Sequence, residues 1–77
     1  MPIVNVRLIE GVFSSEQKRQ MIERITDAMV SIEGERMRAL TTVIVEDVKS
    51  GDWGIAGRAV TADMVKDVQS GKAKPPG

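Results

Sequence analysis

The chain has 77 residues, with eleven basic and eleven acidic side chains, no cysteine, no histidine and 42% hydrophobic residues. This balance excludes a disulfide scaffold, removes the commonest structural zinc ligands, and offers no basic field for nucleic acid or an anionic membrane. A domain this small removes only about 60–65% of its unfolded surface from water, so self-association is the expected source of further burial.

Residues 2–9 alternate as a strand, with Val4, Val6 and Leu8 on one face and Ile3, Asn5, Arg7 and Ile9 on the other. Both faces are largely apolar, which predicts cover from a helix of the same chain on one side and from a neighbouring subunit on the other. Pro2 heads this strand, where its missing N–H costs nothing. It also has a chemical reading. Methionine before a small residue is usually trimmed, which leaves the Pro2 ring nitrogen a free secondary amine. In a chain without histidine or cysteine, that amine is the conspicuous candidate for proton transfer.

Glu10-Gly11 breaks the strand, and Ser14 with Gln17 has the spacing of a capping box, with Glu16 suited to the positive end of a helix dipole. Met21, Ile22, Ile25, Ala28, Met29 and Ile32 then form one apolar stripe, and Gly34 supplies a stop. Leu40 to Asp47 is rich in β-branched residues and reads as a second strand. Strand, helix and strand with short links make a β-α-β unit, whose right-handed crossover sets the two strands parallel and brings Pro2 to the sheet end of the Arg36–Leu40 segment. Gly51, Gly54 and Gly57 suit tight turns and a small hairpin, with Arg58-Ala59-Val60 as a short strand and Thr61 capping a last helix through about Gln69. These glycines lack the pattern and helix entry of a dinucleotide loop. The domain is expected over residues 1–69, with a loose tail over 70–77 ending Lys-Ala-Lys-Pro-Pro-Gly. No apolar run approaches the roughly 20 residues that cross a bilayer, and the start lacks a signal peptide, so a cytoplasmic protein is expected.

Met1-Pro2-Ile3, Glu10-Gly11, Ser15-Glu16-Gln17-Lys18 and Gly51-Asp52-Trp53-Gly54-Ile55-Ala56-Gly57, in that order, resemble the 4-oxalocrotonate tautomerase family from Pro2 to about Gly57. The resemblance implies an α/β fold: a β-α-β subunit with a terminal hairpin, assembled as a hexamer or a trimeric relative of that plan. It implies a cofactor-independent isomerase in which the processed Pro2 shuttles a proton on a keto-enol acid, with Trp53 as the pocket aromatic. The chain also departs from the family. Val12 stands where an arginine follows Glu-Gly, and Thr42 is the nearest match to a second arginine early in the second strand. The forks that would clamp a dicarboxylate are absent from those positions, which points to a monocarboxylate.

A poised amine needs an apolar wall and nearby cations, because both disfavour its protonated form. Trp53 supplies the wall. Arg38, Arg58 and Arg36 are the candidates to bind a substrate carboxylate, with Arg38 foremost because it lies just before the second strand. Glu10, Glu46 and Asp47 have no spacing that argues for paired-carboxylate catalysis or a metal site. Two alternatives stand beside the tautomerase: a non-catalytic oligomeric binding or scaffold protein of the same fold, and a hydratase- or dehalogenase-like relative using protonated Pro2 as an acid.

Overall fold

The computed structural model describes residues 1–75. Strand β1 (Ile3–Ile9) leads through a short turn into helix α1 (Ser15–Glu33), a 3₁₀ segment (Glu35–Leu40) and strand β2 (Thr42–Val48). A hairpin of β3 (Trp53–Ile55) and β4 (Arg58–Val60) and a short helix α2 (Ala62–Gln69) complete the chain. The described residues fall into two compact units, Met1–Val6 with Ser14–Glu46, and Arg7–Phe13 with the chain from Asp47 on.

In the first unit, α1 begins as its sequence dictates. The Gln17 amide donates to the Ser14 hydroxyl at 3.1 Å and the Ser14 amide donates to Gln17 Oε1 at 2.9 Å, so two otherwise orphaned donors are satisfied reciprocally. The helix ends where Gly34, at φ 104°, leaves the helical region while its amide still reaches the Val30 carbonyl at 2.9 Å. Val30 is the buried residue of α1, and Met21, Ile25 and Met29 from the apolar stripe are half-buried. At the head of the strand pair the Thr42 amide donates to the Pro2 carbonyl at 3.2 Å.

In the second unit, the Glu10 amide donates to the Val48 carbonyl at 2.7 Å. Start is thus matched with start and finish with finish, which is the parallel pairing of β1 with β2 that a β-α-β crossover requires. The β3–β4 hairpin is antiparallel, pairing Trp53 with Val60, Gly54 with Ala59 and Ile55 with Arg58. Ile9 and Val60 are buried there. Thr61 caps α2, its hydroxyl accepting from the Met64 amide at 3.3 Å.

Two boundaries differ from those the sequence suggests. Leu40 closes the 3₁₀ segment instead of opening β2, and the link between α1 and β2 is itself helical. Such a link has no periodic signature, because a 3₁₀ stretch seldom persists long enough to show one. Of the expected tail, the Lys72 and Ala73 amides donate back to the Asp67 carbonyl, and residues 76–77 lie outside those described.

Candidate active site

The candidate residues divide between the two units. Pro2 and the arginines Arg36 and Arg38 belong to the first, and Trp53 and Arg58 to the second. Pro2 is half-buried and precedes β1, with its carbonyl anchored by Thr42, while Met1 ahead of it is 89% exposed. Cleavage of the Met1–Pro2 bond would convert the Pro2 amide nitrogen into an amine.

Arg38 is engaged by two carboxylates. Its Nε and Nη2 donate to the two oxygens of Glu35 at 2.8 and 3.3 Å, and its Nη1 donates to Asp27 Oδ1 at 2.9 Å. The fork on Glu35 is bidentate, the strongest geometry available to this pair. It holds the Glu35 carboxyl below its ordinary range and raises Arg38 further above its own, the Glu35 hydrogen bond being the larger cause and Asp27 the second. An open cleft of about 460 Å³ adjoins this cluster, lined by Ile22, Glu23, Thr26, Asp27 and Arg38. Glu23 and Asp27 make it a poor host for an anion. Arg36, on the same 3₁₀ segment, is exposed and makes no side-chain ion pair among the described residues.

In the second unit, Trp53 and Arg58 come together. With Gly51, Asp52, Gly54, Gly57 and Ala59 they line an open depression of about 270 Å³. The loop that places them is tied at several points: the Gly51 amide donates to the Val60 carbonyl at 3.1 Å, the Asp52 amide to the Lys49 carbonyl at 2.9 Å, and the Ala62 amide to Ser50 Oγ at 2.9 Å. Trp53 is half-buried opposite the buried Val60. Its neighbour Arg58 is exposed and carries no side-chain ion pair among the described residues. An indole wall beside an uncommitted guanidinium suits a small carboxylic acid with an apolar body. Asp52 is the lining residue that sequence reasoning does not single out. Its adjacency to Trp53 is the available signal.

Val12 and Phe13, in the turn that follows β1, are half-buried, and Thr42 begins β2. No group of three or more acidic residues able to hold a metal occurs among the described residues, and no helix there is long and apolar enough to cross a membrane.

A parallel β-α-β unit headed by proline and followed by a glycine-rich antiparallel hairpin is the class of fold that the chain defines. The family comparison narrows this further. Residues 2–63 match the model of the tautomerase enzyme family, and the chain belongs to that family. It is 39% identical over 61 residues to a probable tautomerase of Dickeya dadantii strain 3937, covering 79% of this chain and 90% of the relative. It is 36% identical over 62 residues to a probable tautomerase of Helicobacter pylori, covering 78% and 90%. Among solved structures, a 4-oxalocrotonate tautomerase isozyme of Methylibium petroleiphilum superposes with a TM-score of 0.67 at 35% identity, over 83% of this chain and 97% of that one.

Proposed function

We propose that this chain is a cofactor-independent tautomerase that interconverts the enol and keto forms of a small 2-oxo monocarboxylic acid, with Pro2 as general base and then general acid once Met1 is removed. The observation that carries the reading is that the family match begins at Pro2, directly after an exposed Met1. The freed amine takes the proton of the enol hydroxyl, and the resulting ammonium returns a proton to the adjacent carbon as the carbonyl forms. To work near neutral pH that amine must stay unprotonated, which requires a surround that disfavours its charged form, as apolar walls and neighbouring guanidinium groups do.

Trp53 and Arg58 are assigned to the substrate, the indole to its apolar body and the guanidinium to its carboxylate. One exposed arginine matches one carboxylate, in keeping with Val12 and Thr42 at the positions where the family carries its arginine pair. The protein works as a self-associated assembly, a hexamer or a trimer-based relative, because the first unit leaves Ile3, Ile32 and Leu40 exposed.

The test is the ketonisation of phenylenolpyruvate by protein whose intact mass shows loss of one methionine. Turnover should be present there and should fall at least about 100-fold in Pro2→Ala. Equal turnover by that variant rejects the mechanism. A second reading, a binding or scaffold member of the family without chemistry, is favoured by the side chains at 12 and 42. Full retention of Met1 in the cell would support it.

A further inference from the structure

The fork of Arg38 leaves its role open, since a guanidinium already shared by two carboxylates is poorly placed to receive a third. Arg38 with Asp27 and Glu35 forms a cluster of net charge minus one, and the adjoining cleft adds Glu23. An incoming carboxylate would have to displace a bidentate partner and approach a negative surround. The cluster does have a mechanical consequence. Asp27 lies on α1, whereas Glu35 and Arg38 lie on the 3₁₀ segment, so the guanidinium is a bond between two elements.

That segment needs such a bond. At six residues it exceeds the length at which 3₁₀ helices are usually stable, and its first turn has no side-chain cap. Hydrogen bonds lie on both sides of the Thr41–Thr42 peptide bond, which joins its last turn to the head of the sheet. The Thr41 amide donates to the Arg38 carbonyl at 3.3 Å, and the Thr41 hydroxyl lies 2.8 Å from the Met37 carbonyl and 2.7 Å from Glu33 Oε2. The next residue, Thr42, donates its amide to the Pro2 carbonyl at 3.2 Å.

We propose that Arg38 is a positioning residue: by fastening the 3₁₀ segment to α1 through Asp27 and Glu35, it fixes the start of β2, and the Thr42 to Pro2 hydrogen bond passes that constraint to Pro2. The catalytic half of this inference rests on the proposed role of Pro2, while the mechanical half does not. Arg38 thereby acts on the reaction without touching substrate, and Arg58 remains the carboxylate partner.

The experiment compares processed wild type with Arg38→Met, Arg38→Lys, Asp27→Asn and the Asp27→Asn/Arg38→Met double variant. The first readout is amide hydrogen exchange at Thr42, referred to the Val30 amide within α1. Arg38→Met should speed Thr42 exchange about two- to fivefold relative to Val30, the range that losing a solvent-exposed ion pair allows. Asp27→Asn should show part of the effect, the double variant no more than Arg38→Met alone, and Arg38→Lys an intermediate value. The second readout is phenylenolpyruvate turnover, where kcat should fall about two- to fivefold with KM unchanged, the pattern of a misplaced reacting group. An unchanged Thr42 exchange in Arg38→Met overturns the proposal, and so does a large rise in KM with kcat retained, which would mark Arg38 as a substrate ligand. If processed wild type turns over no enol, the Pro2 reading fails, and Thr42 exchange still decides whether Arg38 holds the strand.

Discussion

The amide of Thr42 donates to the carbonyl of Pro2 at 3.2 Å, joining the first residue of β2 to the residue ahead of β1. Chain termini ordinarily fray because little holds their backbone. Here the second residue is held through its carbonyl, the only backbone hydrogen-bonding group that proline has while its nitrogen is in a peptide bond. Under the proposed mechanism this anchoring steadies the nitrogen that reaches the substrate.

The rate of the processed protein should depend on pH as a single base requires. Turnover should fall as pH drops through the pKa of the Pro2 amine and level off above it, with that pKa below the value of an unhindered secondary amine. The profile of kcat/KM measures this directly, since it reports the base in the free enzyme. A limb at the pKa of an ordinary secondary amine would mean that nothing around Pro2 disfavours its charge.

The clamp on Glu35 has its own pH signature. The folded carboxyl lies below its ordinary value of 4.5, with the Arg38 hydrogen bond the larger cause and the Arg38 charge the second. A group depressed in the folded state contributes its stability above its unfolded pKa and loses it as pH falls through the folded one. Carboxyl-carbon NMR should therefore show Glu35 titrating below 4.5 in wild type and near 4.5 in Arg38→Met. Both groups face solvent, so added salt should move the wild-type value toward that of the variant.

Arg58→Ala should raise KM for phenylenolpyruvate about tenfold or more while changing kcat much less, because it removes a contact present in ground and transition states alike. Arg58→Lys keeps the charge and loses the planar fork, so its KM should fall between. Steady-state kinetics on both variants decides the point. An unchanged KM in Arg58→Ala would remove this residue from substrate binding.

The hairpin holds a strained residue that substitution should relieve. Ile55 pairs with Arg58 across a two-residue loop, and that loop sets Ala56 at φ 52° and Gly57 at φ 79°. A two-residue hairpin of this kind needs two left-handed residues. Alanine held there loses about 1–2 kcal/mol, and glycine in its place costs about 0.5–1 kcal/mol of chain entropy, so Ala56→Gly should stabilise by about 0.5–1 kcal/mol. Gly57→Ala should destabilise by about 0.5–1 kcal/mol, the same strain less the same chain entropy, although a Cβ there would meet nothing within 4 Å. Urea unfolding of the two variants measures both signs.

Much of this fold is legible in the chain because periodicity and capping act locally. The alternation of residues 2–9, the stripe from Met21 to Met29, and the reciprocal pair of Ser14 and Gln17 all read out within a few residues of themselves. The partners of Arg38 are harder to read. Glu35 stands three residues away, a spacing that suggests a pair, but Asp27 is eleven residues distant on another helix, and no local pattern reports a contact between elements. The 3₁₀ segment is hidden because six residues are too few to show a period, and Leu40 reads as strand because the residues after it are β-branched. Ile32 shows the remaining limit. It belongs to the apolar stripe and is nevertheless 85% exposed, since a stripe tells which side chains favour cover without telling what covers them.

That exposure carries the last prediction. Ile3 is 60% and Ile44 37% exposed, and each alternates with half-buried valines, so both lie on the faces of β1 and β2 turned away from the half-buried side. Leu40 at 45% and Ile32 at 85% add apolar surface in the same unit. Covering one such side chain fully is worth about 1.5–3 kcal/mol, so a few together can hold an assembly at micromolar concentration. Ile3→Lys and Ile44→Lys should each shift the sedimenting species toward smaller assemblies, because a lysine on a covered face places a charge where water is excluded. Ile32→Lys tests the helix end separately from the sheet. Far-ultraviolet circular dichroism distinguishes dissociation from unfolding, since a dissociated but folded chain keeps its helical signal. Wild type sedimenting as a monomer at tens of micromolar would remove self-association, and these isoleucines would then be exposed in solution without a partner.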